Sequence, residues 1–208
     1  MRRVAQAEIA KGLLGIGAFR EGDFALSSGR KSDYYLDLRL VPSHPTLYRL
    51  VLDAYRGMAD RVGADSFDAV AGVATSGLLM SSPLAVFLRK PMVYVRRQEK
   101  GHGTRRLVEG AVPIGSRALL VDDLATSGGS LAESVTTLRA SGLVVADALV
   151  LVDRLEGASS KLRSLGVRLT SFITVEDIAP LRKGGVGQDG EKLTASFAEG
   201  PRVEGSLR

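Results

Sequence analysis

Short, almost unbroken apolar runs separated by amphipathic stretches are the feature that most restricts the fold of this 208-residue chain. Runs without polar alternation predict strands covered on both faces, as in a parallel sheet. The stretches between them predict helices, and the alternation indicates an α/β fold with right-handed crossovers. The predicted strands are 67–73, 92–96, 118–122, 147–152 and 168–174, and the predicted helices are 76–88, 129–141 and 159–165.

A separate N-terminal portion precedes this alternation. It contains a predicted helix near 5–14, a predicted strand near 34–41 and a predicted helix over 45–61. We therefore expect one overall domain with three parts. These are leading helices with a small hood (1–66), an α/β core (67–180) and a C-terminal tail (181–208), to which no role is assigned.

Composition removes several kinds of site. The chain has no cysteine, which excludes disulfides, thiolate zinc sites and cysteine nucleophiles and fits a reducing compartment such as the cytoplasm. His44 and His102 lie far apart in sequence, so no transition-metal site is expected. No run approaches the roughly 18 apolar residues of a membrane span, and no secretion signal is expected.

The segment that carries the most chemistry joins the predicted strand at 118–122 to the predicted helix at 129–141. Asp122 and Asp123 follow the apolar run, and the loop Thr126-Ser-Gly-Gly-Ser130 comes soon after. The loop's N–H groups, at the positive end of the helix, are suited to surround a phosphate. The carboxylates lie where open α/β sheets bind ligands, and they suit sugar hydroxyls or a cation. The alternative is an acidic strand end followed by an ordinary Ser/Gly helix cap.

Positive charge is concentrated in one segment. Seven basic residues and one acidic residue lie between Arg89 and Arg106, although the whole chain carries a net charge of only +5. Within this window begins the basic segment 96–110, which follows a predicted strand. Glycines 101, 103 and 110 predict hinges in it, so the basic segment is expected to close over a site and stabilise an anionic leaving group. The alternatives are a solvated basic loop or a nucleic-acid patch, and the absence of interleaved aromatic residues disfavours the second.

Residues 118–130 resemble the phosphoribosyl pyrophosphate (PRPP) motif of type I phosphoribosyltransferases. From about Phe19 to Asp177 the chain further resembles orotate phosphoribosyltransferases, most specifically in the Ser-Gly-x-x-Ser-x-Tyr-Tyr segment ending at Tyr35 and in Lys100-Gly-His-Gly103. The resemblance implies a twisted, mainly parallel sheet flanked by helices, with a small N-terminal hood. It also implies a cytoplasmic homodimer that converts orotate and PRPP to orotidine 5′-monophosphate and pyrophosphate in pyrimidine (UMP) biosynthesis.

The resemblance implies roles for individual residues. Lys100, His102 and Asp123 are the expected catalytic residues, and the first two are expected to act across the dimer interface. Mg²⁺ is expected to arrive with PRPP, without a direct protein ligand. The PRPP site is expected to comprise Arg96, Arg97, Lys100, His102, Asp122, Asp123, Leu124, Ala125, Thr126, Ser127, Gly128, Gly129 and Ser130.

Orotate is expected to contact Thr126, Arg154 and the backbone near Tyr35 and Leu36. The planar guanidinium of Arg154 suits the carboxylate that distinguishes orotate from uracil. The alternative for Arg154 is a surface ion pair with Asp153 or Glu156. Core packing is the alternative for Tyr34 and Tyr35.

Three positions depart from the pattern that this resemblance implies. Ser27 and Ser76 stand where a number of relatives carry lysine, so two potential PRPP-contacting cations are missing. Gly101 stands where the residue is often acidic. A changed PRPP affinity or loop ordering is expected, with the core of the site retained.

Two other functions remain open on the sequence. One is a phosphoribosyltransferase for another base, such as a purine or uracil. The other is a PRPP-sensing regulator that binds nucleic acid without turnover. The regulator is expected to carry an additional basic helical motif, which is not evident, and neither nucleic acid nor a membrane is an expected partner.

Overall fold

The computed structural model describes residues 2–25, 31–96 and 107–183. The chain divides into two compact units, one formed by residues 51–175 and the other by 1–50 with 176–208. Among the described residues, no helix combines the length and apolar character needed to cross a bilayer.

The unit 51–175 is built on a seven-stranded sheet. Its strands are β3 (Ala69–Val73), β4 (Met92–Val95), β5 (Val108–Glu109), β6 (Ala118–Val121), β7 (Leu124–Ala125), β8 (Asp147–Asp153) and β9 (Arg168–Thr174). The strand order is β5-β4-β3-β6-β8-β7, and β9 also pairs with β8. All these pairings are parallel except that of β4 with β5. The prediction of a mainly parallel α/β fold is therefore confirmed.

Helices cover this sheet because its strands are apolar on both faces. Every residue of β3 and β6 is buried. Leu131, Val135 and Leu138 of one helix and Leu162 of the next join the same core, and each fully buried aliphatic side chain contributes roughly 1.5–3 kcal/mol. The helices are α2 (Pro45–Val62), α3 (Ser76–Leu88), α4 (Gly129–Ala140) and α5 (Ala158–Ser164).

The N-terminal unit begins with α1 (Arg2–Gly15), followed by β1 (Phe19–Ala25) and β2 (Lys31–Leu36), which pair in an antiparallel ladder. The predicted strand near 34–41 is wrong in its second half. Asp37 accepts a hydrogen bond from the Arg39 N–H and starts a 3₁₀ turn over Leu38–Ser43, so the extended conformation ends at Leu36. The last helix, α6 (Val175–Lys183), continues through Pro180.

Candidate active site

The paired acids Asp122 and Asp123 lie between β6 and β7 and are held against β8 by main-chain hydrogen bonds. The Asp122 N–H donates to the Leu149 carbonyl at 3.0 Å, and the Asp123 carbonyl accepts the Leu151 N–H at 3.0 Å. The two aspartates are only 5% and 9% exposed. The strand end predicted from the sequence therefore exists, and its acids are fixed rather than carried on a loose turn.

Further hydrogen bonds join the two acids to each other and to the helices α2 and α3. Asp122 Oδ1 accepts the Asp123 N–H at 3.0 Å, and the Ser76 hydroxyl donates to Asp123 Oδ1 at 3.0 Å. From α2, the hydroxyl of the fully buried Tyr55 donates to the Asp122 carbonyl at 2.6 Å. Burial, followed by the charges of Asp123 and Asp122, raises the pKa of Tyr55 well above its ordinary value. The acid pair therefore depends on α2 and α3 as well as on its own strand.

Tyr55 and Ser76 were not predicted as site residues. The available signal for Tyr55 was a tyrosine on the apolar face of a helix, because a buried tyrosine hydroxyl usually has a hydrogen-bond partner. For Ser76 the signal was only its departure from the family pattern. Neither feature of the sequence identifies the hydrogen-bond partner, because Asp122 and Asp123 are distant in sequence from Tyr55 and Ser76.

Gly77, at the start of α3, lies so close to the acid pair that a side chain at this position would have no room. A Cβ atom there would lie 2.7 Å from Asp122 Oδ1 and 2.9 Å from the Val121 carbonyl oxygen. Because part of that contact is with main chain, it cannot be relieved by turning a flexible side chain. The position of α3 against β6 therefore requires glycine.

The predicted phosphate loop leads directly into α4. Gly128, with φ of +75°, is the N-cap of α4, and a Cβ on it would lie 2.9 Å from the Ala158 Cα. The cap residue therefore has no side chain to accept the first N–H groups of the helix. The helix cap is thus a glycine, as in the alternative of an ordinary Ser/Gly cap, and helix N–H groups without a side-chain cap are also suited to hold a phosphate.

Arg154 follows β8 and is joined to the end of β7, because its N–H donates to the Ala125 carbonyl at 2.9 Å. Its Nε lies 2.7 Å from Glu156 Oε1, and the two side chains are 4% and 15% exposed. The alternative ion pair with Glu156 is thus present, with a buried guanidinium and a partly exposed carboxylate. Asp153 instead accepts the Leu155 N–H at 2.8 Å.

The basic segment begins and ends on neighbouring strands. The Arg96 N–H donates to the Leu107 carbonyl at 2.8 Å, and Arg96 Nη1 lies 3.4 Å from Glu109 Oε1. Arg96, predicted to bind PRPP, therefore has a carboxylate neighbour in this structure. Arg97, Lys100 and His102 lie outside the described residues.

The remaining predicted base contacts lie on β2, in the N-terminal unit. The Tyr35 ring packs against Phe24 at 5.5 Å between centroids, and its hydroxyl accepts a hydrogen bond from Arg39 Nη2. Leu36 is buried. Tyr34 stacks on Phe19 at 5.0 Å between centroids, in agreement with the packing alternative for its ring.

The family of this chain follows from comparison with known proteins. The model of the phosphoribosyl transferase domain matches residues 46–171. An orotate phosphoribosyltransferase of Cenarchaeum symbiosum is 49% identical over 167 residues, which cover 78% of this chain and 82% of that protein. The chain belongs to the orotate phosphoribosyltransferase family.

Solved structures of this family share the fold. The crystal structure of the Aeropyrum pernix orotate phosphoribosyltransferase superposes with a TM-score of 0.75 at 42% identity, covering 84% of this chain and 98% of that one. The Mycobacterium tuberculosis orotate phosphoribosyltransferase, solved in complex with PRPP, has a TM-score of 0.66 at 25% identity and covers 84% of this chain and 99% of that one. The predicted type I phosphoribosyltransferase fold is confirmed.

The buried state of Asp123 predicts opposite effects on stability and activity. Burial raises the pKa of Asp123 above its ordinary value of 3.8, whereas hydrogen bonds with Asp122 and Ser76 lower it. Between pH 3.8 and the raised pKa the folded state binds more protons than the unfolded state, so stability falls as the pH rises, and the penalty is complete above the raised pKa. Asp123→Asn is expected to raise the melting temperature at neutral pH and to lower turnover by on the order of 10²-fold.

Thermal unfolding of wild type and Asp123→Asn from pH 4 to 8 measures this effect. The stability gained by the variant is expected to shrink as the pH falls below the raised pKa of Asp123, because the folded state then takes up a proton and loses the penalty of a buried charge. A variant that is less stable than wild type at neutral pH would contradict the assigned effect of burial.

Proposed function

We propose that this chain transfers the ribose 5-phosphate of PRPP to orotate and releases orotidine 5′-monophosphate and pyrophosphate. The observation that carries the proposal is the fixed acid pair followed by the Gly128 loop at the start of α4, in a chain of this family. Sugar hydroxyls and a phosphate are the groups that such an arrangement suits. Pyrimidine biosynthesis is the process that uses this reaction.

One assay tests the activity. Orotate absorbance is followed with and without PRPP and Mg²⁺, and loss is expected only when both are present. Adenine, xanthine and uracil serve as comparison bases. Product from one of these bases and none from orotate would overturn the proposal.

The chemistry is displacement at C1 of the sugar. The orotate ring nitrogen gives up its proton to solvent and forms a bond to C1, while the bond from C1 to the pyrophosphate oxygen breaks and its electron pair leaves with pyrophosphate. Asp122 and Asp123 position the ribose hydroxyls, and Asp123 offsets positive charge that develops on the sugar. Residues 124–130 hold the 5-phosphate. Thr126 and Arg154 hold orotate.

Mg²⁺ is proposed to accompany PRPP. Among the described residues no group of three or more His, Asp or Glu side chains is placed to hold a metal ion. Mg²⁺ dehydrates reluctantly and is commonly held by substrate phosphates and its own waters, so a site whose described residues form no metal-binding cluster fits an ion that arrives on PRPP without a direct protein ligand. The ion, when bound, neutralises charge on the pyrophosphate.

Lys100 and His102 are proposed to stabilise pyrophosphate across a homodimer interface, with Arg96 and Arg97 on the same side of PRPP. An exposed apolar surface on α3 supports the association of two copies, because Val86 is 75% and Phe87 is 53% exposed. Large apolar side chains grouped at a surface often mark a protein interface. The absence of cysteine supports a cytoplasmic location.

Lys100→Ala is expected to reduce turnover by roughly 10²–10³-fold, because one positioned charge is removed from the leaving group. The melting temperature is expected to stay unchanged. Steady-state rates and thermal unfolding measure the two effects, and a near-normal rate would refute the role. If Lys100 acts across the interface, mixing Lys100→Ala with the slow Asp123→Asn protein is expected to give more activity than either variant alone, since a mixed dimer contains one intact site.

A further inference from the structure

Ser76 uses its hydroxyl outside its own helix. It is the first residue of α3, the N-cap is Thr75, and that cap makes no side-chain hydrogen bond to the helix. A serine at a helix start commonly satisfies local backbone groups. Here the hydroxyl donates instead to Asp123 Oδ1 at 3.0 Å, a contact between residues 47 positions apart. The contact therefore belongs to the acid pair and not to the capping of α3.

Hydrogen bonds with β8 fix the main chain of Asp123, so the Ser76 hydroxyl restricts the rotation of the Asp123 side chain. The Asp123 carbonyl accepts hydrogen bonds from β8, while the Ser76 hydroxyl holds one carboxylate oxygen. Gly77 keeps α3 within contact distance of Asp122, so the donor lies on a helix that cannot easily move away. A hydroxyl in this position selects one rotamer of the carboxylate.

The same contact affects the charge of Asp123. The groups around it are the Asp122 carboxylate from the end of β6, the Tyr55 hydroxyl from α2 and the Ser76 hydroxyl from α3. Burial raises the pKa of Asp123, and the bond from Ser76 lowers it. A hydrogen bond donated to a carboxylate favours the ionised form. Without the hydroxyl, more of the protein is protonated at Asp123 at a given acidic pH.

We infer that Ser76 is a positioning residue for the reaction, whose hydroxyl orients the Asp123 carboxylate and keeps it ionised for the ribose of PRPP. This role compensates for the burial of an acid that the site needs in its charged form. It rests on the proposed function for its catalytic consequence, but the effect on Asp123 itself can be measured without any substrate.

The direct test is a titration of the Asp123 carboxyl carbon by ¹³C NMR, assigned by its absence in Asp123→Asn. The midpoint is expected to move to higher pH in Ser76→Ala and to return towards the wild-type value in Ser76→Thr, which keeps a hydroxyl. Ser82→Ala, at an exposed serine of the same helix, is the matched control and is expected to leave the midpoint unchanged. An unchanged midpoint in Ser76→Ala would overturn the inference even if the enzyme is active.

The kinetic test uses kcat/KM for PRPP as a function of pH. Ser76→Ala is expected to lower it by roughly ten- to a hundredfold, the effect of a hydrogen bond to a charged group, and to shift the acid limb to higher pH. In an Asp123→Asn background the same change is expected to add almost nothing, because the two residues act as one unit. An equal loss in both backgrounds would show that Ser76 acts on PRPP or on the fold directly. A wild-type protein that does not consume orotate would refute the proposed function, and the NMR result would still decide the contact.

Discussion

Gly77→Ala is expected to lower kcat/KM for PRPP by about 10²-fold or more, because displacing a positioned group by about 1 Å can cost that much. The new methyl group would meet Asp122 Oδ1 and the Val121 carbonyl oxygen at 2.7 and 2.9 Å. Either α3 or the end of β6 must then move, and the acid pair moves with them. Overpacking of this kind also costs about 1–3 kcal/mol of folding free energy.

Gly57→Ala is the matched control. Gly57 lies inside α2, and a Cβ there would meet only Arg61 Nη1, at 3.8 Å. Alanine at this position is expected to stabilise the protein by roughly 0.5–1 kcal/mol, since glycine weakens a helix interior. Steady-state kinetics and chemical denaturation of both variants separate a local clash from a general effect of adding a methyl group. Normal PRPP kinetics in Gly77→Ala would contradict the predicted displacement.

Arg154→Leu is expected to have two separable effects. It removes the proposed partner of the orotate carboxylate, so kcat/KM for orotate is expected to fall by on the order of 10²–10³-fold. It also leaves the partly exposed Glu156 without this guanidinium, which is expected to cost less than the roughly 3–5 kcal/mol of a fully buried pair. Kinetics with orotate and denaturation curves measure the two losses.

The double variant Arg154→Leu/Glu156→Leu distinguishes binding from stability. Apolar residues in place of both members of a buried ion pair are often neutral or stabilising, so the double variant is expected to recover most of the lost stability. Orotate turnover is expected to stay low, because the carboxylate partner is still missing. Recovery of turnover together with stability would mean that Arg154 has only a structural role.

The parts of the fold that follow from local pattern were predictable from the sequence. The bounds of α3 and β9 match the prediction, because a long apolar helix and a β-branched strand are distinct over their whole lengths. Strand β1 was missed because Phe19–Ala25 carries Arg20, Glu21 and Asp23 and is extended only through its pairing with β2. The two-residue strands β5 and β7 were also missed, since they are too short to show a period.

In the site, too, the features formed by neighbouring residues were predictable, and the contacts between residues distant in sequence were not. The acid pair and the glycine loop are contiguous in sequence, and their residue types alone indicated a phosphate and a sugar. The supports from Tyr55 and Ser76 join positions 67 and 47 residues apart, so they exist only once the sheet has formed. For Arg154, the sequence offered a carboxylate neighbour but could not indicate that the guanidinium is buried.

The register of β6 and β7 against β8 limits how this enzyme's length can vary. Leu120 lies opposite Ala148, and Leu124 lies opposite Val152, so the offset is the same on both sides of the acid pair. One extra residue between Val121 and Leu124 would turn the inward-facing side chains of β7 outwards or force a bulge. Insertions and deletions in natural variants should therefore avoid this step and accumulate in the connections between the sheet and its helices.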